Sequence, residues 1–216
     1  MPTSATSDTL ETAPVELLHR LEPEDDARAQ FYALLARLYA HGPDAALLTA
    51  LGGSQPWPEA PANPLSLAWN KFILASTAMD ADAAEQEYTD LFIGVGRSNV
   101  DLHASHWVTG ATTEKPLVAV RSDLARLGLA RRERTTMYED HLSALCETMR
   151  MLVAGDGERR PAPIAVQRAY FDRHIAPWVF DCCDAIRESP LANYYQRVAE
   201  FTSLFMAVER DSLAIE

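Results

Sequence analysis

Basic residues are scarce in this chain. Nineteen Lys and Arg stand against 31 Asp and Glu among 216 residues, leaving a formal net charge of -12 and a pI near 4.9. That balance argues against a nucleic-acid partner, because proteins that neutralise phosphates present a basic face. A partner with a positively charged segment fits better. Cysteine is rarer still. Cys146, Cys182 and Cys183 are odd in number, lack CxxC spacing and include an adjacent pair, which suits neither a disulfide framework nor a tetrahedral zinc site. They read as small core or boundary residues.

Long apolar runs are missing too. No stretch approaches membrane-spanning length, and "MPTSATSDTLETAPVELL" has neither the basic nor the continuous apolar region of a secretory signal. The expectation is a cytoplasmic protein without stable membrane insertion. No segment shows period-two alternation bounded by hairpin turns, which excludes a sheet, and no repeat has a solenoid period. P-loop, Rossmann, HExxH and GxSxG signatures are all absent. "GVGR", 94 to 97, lacks the flanking strand and helix of a phosphate cradle and reads as a helix C-cap. No cofactor is expected.

What is present is a hydrophobic fraction of 48%, enough for a substantial core, carried on helical periods. Residues 1–13 are polar and read as a loose arm, leaving 14–216 as an all-helical domain. "EPEDDARAQFYALLARLYAHGP" places Ala27, Phe31, Leu34, Leu35 and Leu38 on one face, with acidic residues at the front and Gly42-Pro43 as the stop. A short helix follows over 45–51, and the Pro- and Gly-rich stretch 52–64 is a connection. Leu65, Trp69, Phe72, Ile73 and Met79 mark the next helix, and 80–82 separates it from the helix of 85–92. "PLVAVRSDLARLGL" is helical. Thr136 and Glu139 form a capping box for a helix that buries Tyr138, Leu142, Leu145, Met149 and Leu152. Pro177 kinks or divides the following segment, and the final helix spans 190–208 with Leu191 and Tyr194 on its apolar face.

The stretch "EYTDLFIGVGRSNVDLHASHW" ends a helix in a loop rich in glycine and histidine. Asp101, His103 and His106 are imidazole and carboxylate ligands of the kind zinc accepts, so a small metal-dependent enzyme is one reading. No fourth ligand at helical spacing supports it. Arg131, Arg132 and Arg134 make a short basic run that reads as a solvated helix end or loop. Trp69 and Trp178 lie on apolar faces and read as core, whereas Trp107 in the loop is placed to line a groove.

Glu87-Tyr88-x-x-Leu91-Phe92-x-Gly94, then Asp140-His141-Leu142, then "FDRHIAPWVFDCCDAI" and "SPLANYYQRVAEFTSLFMAVE" together resemble the TorD/DmsD family, with its more distant NarJ-type members. The resemblance covers about 31 to 209. It implies an all-helical, non-enzymatic chaperone that binds the N-terminal signal, often of the twin-arginine type, of a molybdoenzyme catalytic subunit until its cofactor is inserted. By motif position Glu87, Tyr88, Leu91, Phe92, Asp140 and His141 are the expected client-binding residues, with Trp107 added from its place in the loop. Gly94, Pro177 and Trp178 are the expected structural ones. The loop after Gly94 departs from the family pattern, and Ser105 and Trp107 align with it only loosely.

In physical terms a signal peptide needs an apolar groove rimmed with carboxylates. Tyr88, Leu91 and Phe92 are expected to border that groove, and Asp140 with Glu139 or Glu87 to attract the arginines; the alternative makes Leu91 and Phe92 core, the favoured reading for Leu91, and Glu87 an acceptor of backbone N–H bonds from the glycine loop. On the groove reading Asp140→Asn leaves the thermal midpoint nearly unchanged but weakens peptide binding. A subunit of a larger assembly is a further alternative, and both monomer and homodimer remain open.

Overall fold

The computed structural model describes residues 21–58, 63–108, 115–129, 137–156 and 159–215. Ten α-helices are found among them: α1 Pro23–Leu38, α2 Ala45–Gly52, α3 Pro64–Ala78, α4 Ala81–Tyr88, α5 Ala104–Trp107, α6 Pro116–Arg126, α7 Leu142–Ala154, α8 Ile164–His174, α9 Val179–Glu188 and α10 Tyr194–Ile215. A single turn of π-helix, Thr89–Ile93, extends α4. Among the described residues the β content is one isolated antiparallel bridge between His103 and His141. The expected all-α class is the observed one. The residues 1–13 and the arginine run 131–134 lie outside the described residues.

The helices start and stop for local reasons. Pro23 and Pro64 open α1 and α3 at a position where a missing N–H costs nothing. Asp44 and Asp80 cap α2 and α4 by accepting from Leu47 N and from the amides of Asp82 and Ala83. Pro177 falls in the gap between α8 and α9, so the predicted break is a full division. Trp178 is 1% exposed, and its indole N–H donates to the His174 carbonyl at 2.7 Å.

α10 lies along α3, α8 and α9, while α1 packs on α7. Phe31, Trp57, Trp69, Phe72, Phe201 and Phe205 form one aromatic cluster with ring centroids 5.3 to 6.3 Å apart. Each such ring contributes roughly 2 kcal/mol by leaving water. Within this core sits a charge pair. Glu209, 1% exposed, accepts from Arg28 Nε at 2.8 Å, Arg28 Nη2 at 3.0 Å and the Tyr32 hydroxyl at 3.0 Å. All three cysteines are buried and free, as their spacing suggested.

Several expectations are corrected. Ala27 is exposed, because the buried stripe of α1 runs through Ala29, Tyr32, Leu35, Ala36 and Leu38 instead. Tyr138 is 54% exposed and precedes α7. That helix begins at Leu142, and its N-cap is His141 rather than a Thr136 and Glu139 box. Thr136 lies outside the described residues, and Glu139 bonds Arg121 of α6 at 3.0 Å. Leu191 is 47% exposed in the turn before α10, which starts at Tyr194.

Candidate functional site

The junction after α4 is built around the π turn. One extra residue in the turn directs both Leu91, 0% exposed, and Phe92, 8% exposed, into the core. Phe92 meets Tyr88 and Tyr195 at centroid distances of 5.2 and 5.0 Å. Gly94 ends the turn with φ 64° and ψ 175°, a conformation that essentially requires glycine. A Cβ there would sit 2.1 Å from the Arg97 carbonyl oxygen.

Beyond it the chain bends through 95–100, and burial then alternates over 100–104. Val100, Leu102 and Ala104 are buried, whereas Asp101 and His103 face outward and are half-exposed. The segment is fastened along its length. Val100 N donates to Leu91 O at 2.9 Å, Leu142 N to Leu102 O at 2.8 Å, and Ala104 N to Asp140 O at 2.9 Å. Ser189 Oγ reaches Asn99 Oδ1 at 2.7 Å.

Asp140 and His141 hold this loop from beneath. Asp140 is 2% exposed, and its Oδ2 accepts from Ser105 N at 3.1 Å and Ser105 Oγ at 2.5 Å. His141 is 7% exposed, and its Nδ1 accepts from Ser143 N at 3.1 Å. That bond requires a neutral ring. Burial, reinforced by nearby His103, lowers the His141 pKa to about 4, so the neutral ring is the resting form. The carboxylate rim expected at Asp140 is therefore replaced by a buried tie.

The same holds at Glu87. Its carboxylate accepts from Asn193 N at 2.8 Å, Tyr194 N at 3.0 Å and Tyr195 N at 2.8 Å, capping α10 from another helix. Tyr88 is 6% exposed and donates to the Tyr39 carbonyl at 3.2 Å. Tyr88, Leu91 and Phe92 are thus core residues rather than a groove wall.

What faces outward is different. Asp101, His103, His106, Trp107 and Tyr138 form a contiguous patch of half-exposed or exposed side chains. His103 packs on Tyr138 at 6.2 Å and on His141 at 4.8 Å between centroids, and His106 lies 5.3 Å from Trp107. Trp107 is half-buried, with Nε1 donating to Asp101 O at 2.8 Å. Burial alone would raise the Asp101 carboxyl, but hydrogen bonds from the His103 side chain and backbone hold it below its ordinary value.

As a metal centre the trio is poorly arranged. His103 Nδ1 is hydrogen-bonded to Asp101 Oδ1 at 2.8 Å, His106 Nδ1 stands 4.0 Å from Asp101 Oδ2, and no group of three potential ligands suits a metal among the described residues. The sequence pattern places Tyr138 on a helix face rather than in this junction, and it does not show the bond between Ser105 and Asp140. The signal for the loop was present as the alternation Val100-Asp101-Leu102-His103-Ala104, a short half-buried extended run.

The model of the nitrate reductase delta subunit family matches residues 59–184. The fold aligns with the crystal structure of a candidate redox enzyme maturation protein from Archaeoglobus fulgidus at a TM-score of 0.50. The alignment covers 92% of this chain and 99% of that one at 16% identity, so the likeness is one of fold. No curated protein matches the sequence. No helix among the described residues is long and apolar enough to cross a membrane.

Proposed function

We propose, from the premise that the chain belongs to the nitrate reductase delta subunit family, that it is a maturation chaperone for a redox enzyme. It holds the N-terminal segment of a molybdoenzyme catalytic subunit while the apo form awaits its cofactor. The observation that carries the reading is a loop fastened from beneath by Asp140 and Leu142 while its outer side presents His103, His106, Trp107 and Tyr138.

Tyr and Trp give a rigid apolar contact with a polar edge, the composition favoured where one protein segment recognises another. A twin-arginine type of signal brings basic residues followed by an apolar stretch. The apolar part lies against Trp107 and Tyr138, and the Asp101 carboxylate meets the basic part. Charge-assisted bonds add direction, and solvent at this one-third exposed carboxylate limits their strength. Glu87, Tyr88, Leu91, Phe92, Asp140 and His141 serve the same surface by positioning it. Binding and release need no covalent step.

The test is capture of client from the cytoplasm of the source organism by tagged protein, identified by mass spectrometry. A molybdoenzyme catalytic subunit should be recovered with wild type and fall by about 10-fold with the double variant Tyr138→Ala and His106→Ala. The thermal midpoint of that variant should stay near wild type. Recovery equal to wild type would remove the surface from the proposal, and absence of any such subunit in cells expressing molybdoenzymes would remove the function.

A further inference from the structure

A cavity of about 370 Å³ opens between α6 and α8. Leu127, Ala165, Val166, Ala169 and Tyr170 supply its apolar lining, and Asp123, Arg126 and Arg173 stand at its polar side. Such a volume lies within the range of small-ligand sites.

The polar side is unevenly matched. The Asp123 carboxylate, 7% exposed, receives Arg126 and Arg173 at Oδ1, and Arg173 at 3.1 Å and His174 Nε2 at 2.7 Å at Oδ2. Burial opposes its ionisation, yet these partners hold its pKa below the ordinary carboxylate value. Its acceptor positions are filled. The Arg126 side chain is 70% exposed and meets Asp123 through Nη2, which leaves the rest of a five-donor guanidinium edge at the cavity mouth. In a chain of net charge -12 this is a local site for a negative group.

We propose that this cleft binds a small aliphatic monocarboxylate, its chain along Leu127, Val166 and Ala169 and its carboxylate on Arg126. A planar carboxylate matches the guanidinium fork. An apolar body is needed because Ala165, Val166 and Ala169 offer no donors in their side chains. An inorganic anion would gain nothing from that wall. No residue lining the cleft belongs to the client surface, so the test of either reads separately from the other.

Octanoate is the probe, titrated into isotopically labelled full-length protein while the amide resonances of Val166 and Ala169 are followed. Saturable shifts are expected at roughly millimolar concentration, with inorganic phosphate and 1-octanol each binding at least about 10-fold more weakly. Ala169→Trp fills the cleft at an exposed position and should abolish the shifts, and Arg126→Gln should weaken them about 10-fold. Thermal midpoints should report both variants as folded. Absence of shifts up to roughly 10 mM, equal binding of octanol, or an unchanged titration in both variants would overturn the site.

Discussion

Glu87 and Tyr195 lie 108 positions apart, yet the Tyr195 amide donates to a Glu87 carboxylate oxygen at 2.8 Å. With the amides of Asn193 and Tyr194 it completes a cap in which one helix supplies the anion for the start of another. Glu87→Ala leaves those donors without their acceptor and should cost about 2 kcal/mol, with Glu87→Gln costing about half as much. Urea unfolding measures both. A glutamine variant as stable as wild type would show that the charge adds nothing to the cap.

Ser105 and Asp140 should behave as a unit. Asp140→Asn retains an acceptor but loses its charge in a buried site, and we expect a loss of about 1–3 kcal/mol. This reverses the expectation that the same change leaves the thermal midpoint unmoved, since Asp140 is 2% exposed. A double-mutant cycle with Ser105→Ala should give a coupling of at least about 0.5 kcal/mol. Client capture by the double variant should match that of the worse single variant. Additive losses in capture would mean that the two residues act separately.

His141 makes the fold sensitive to mild acid. Its folded pKa, about 4, lies below the ordinary 6.5, so between those values the unfolded chain binds a proton that the native state refuses. The sign follows: stability from this group is complete above pH 6.5 and declines as pH falls toward 4, by the order of 3 kcal/mol. His141→Asn keeps a side-chain cap without the titration. Denaturation midpoints from pH 7 to 4 should fall less steeply in that variant, and parallel curves would sink the assignment.

Gly94→Ala should be among the most damaging small substitutions in the loop. Its backbone conformation and the 2.1 Å approach to Arg97 O act together, and we expect a loss of about 3 kcal/mol or more. Gly96→Ala is a control with a positive φ of 87° but nothing within 4 Å of the added carbon. Thermal melts compare them, and equal losses would show that the close approach is relieved cheaply.

The helices were legible because a buried face repeats over several turns, as Trp69, Phe72, Ile73 and Ser76 do on α3. The π turn was not, since one inserted residue within a helix leaves a period almost unchanged over so short a span. Tyr138 fits a helix stripe because it stands four residues before Leu142, and only the bonds of Glu139 and Asp140 elsewhere make that stretch a connector. In the sequence Asp140 and His141 suit a recognition surface, and Glu87 suits either that or an acceptor of backbone N–H bonds. Their types suit caps and ion pairs equally well, and the choice depends on Ser105 and Tyr195, whose proximity no local pattern encodes.

The placement of α10 also bears on synthesis. Every partner named for it precedes it in the chain: Arg28 and Tyr32 await Glu209, Tyr39 awaits Thr202, and Phe72 awaits Phe201. On the ribosome those aromatic faces emerge before the helix that covers them, and a chain stalled short of residue 194 carries an uncovered apolar trough and an Arg28 paired with Asp25 but not with Glu209. The chain therefore has its own interval of exposure during synthesis, which ends when α10 docks.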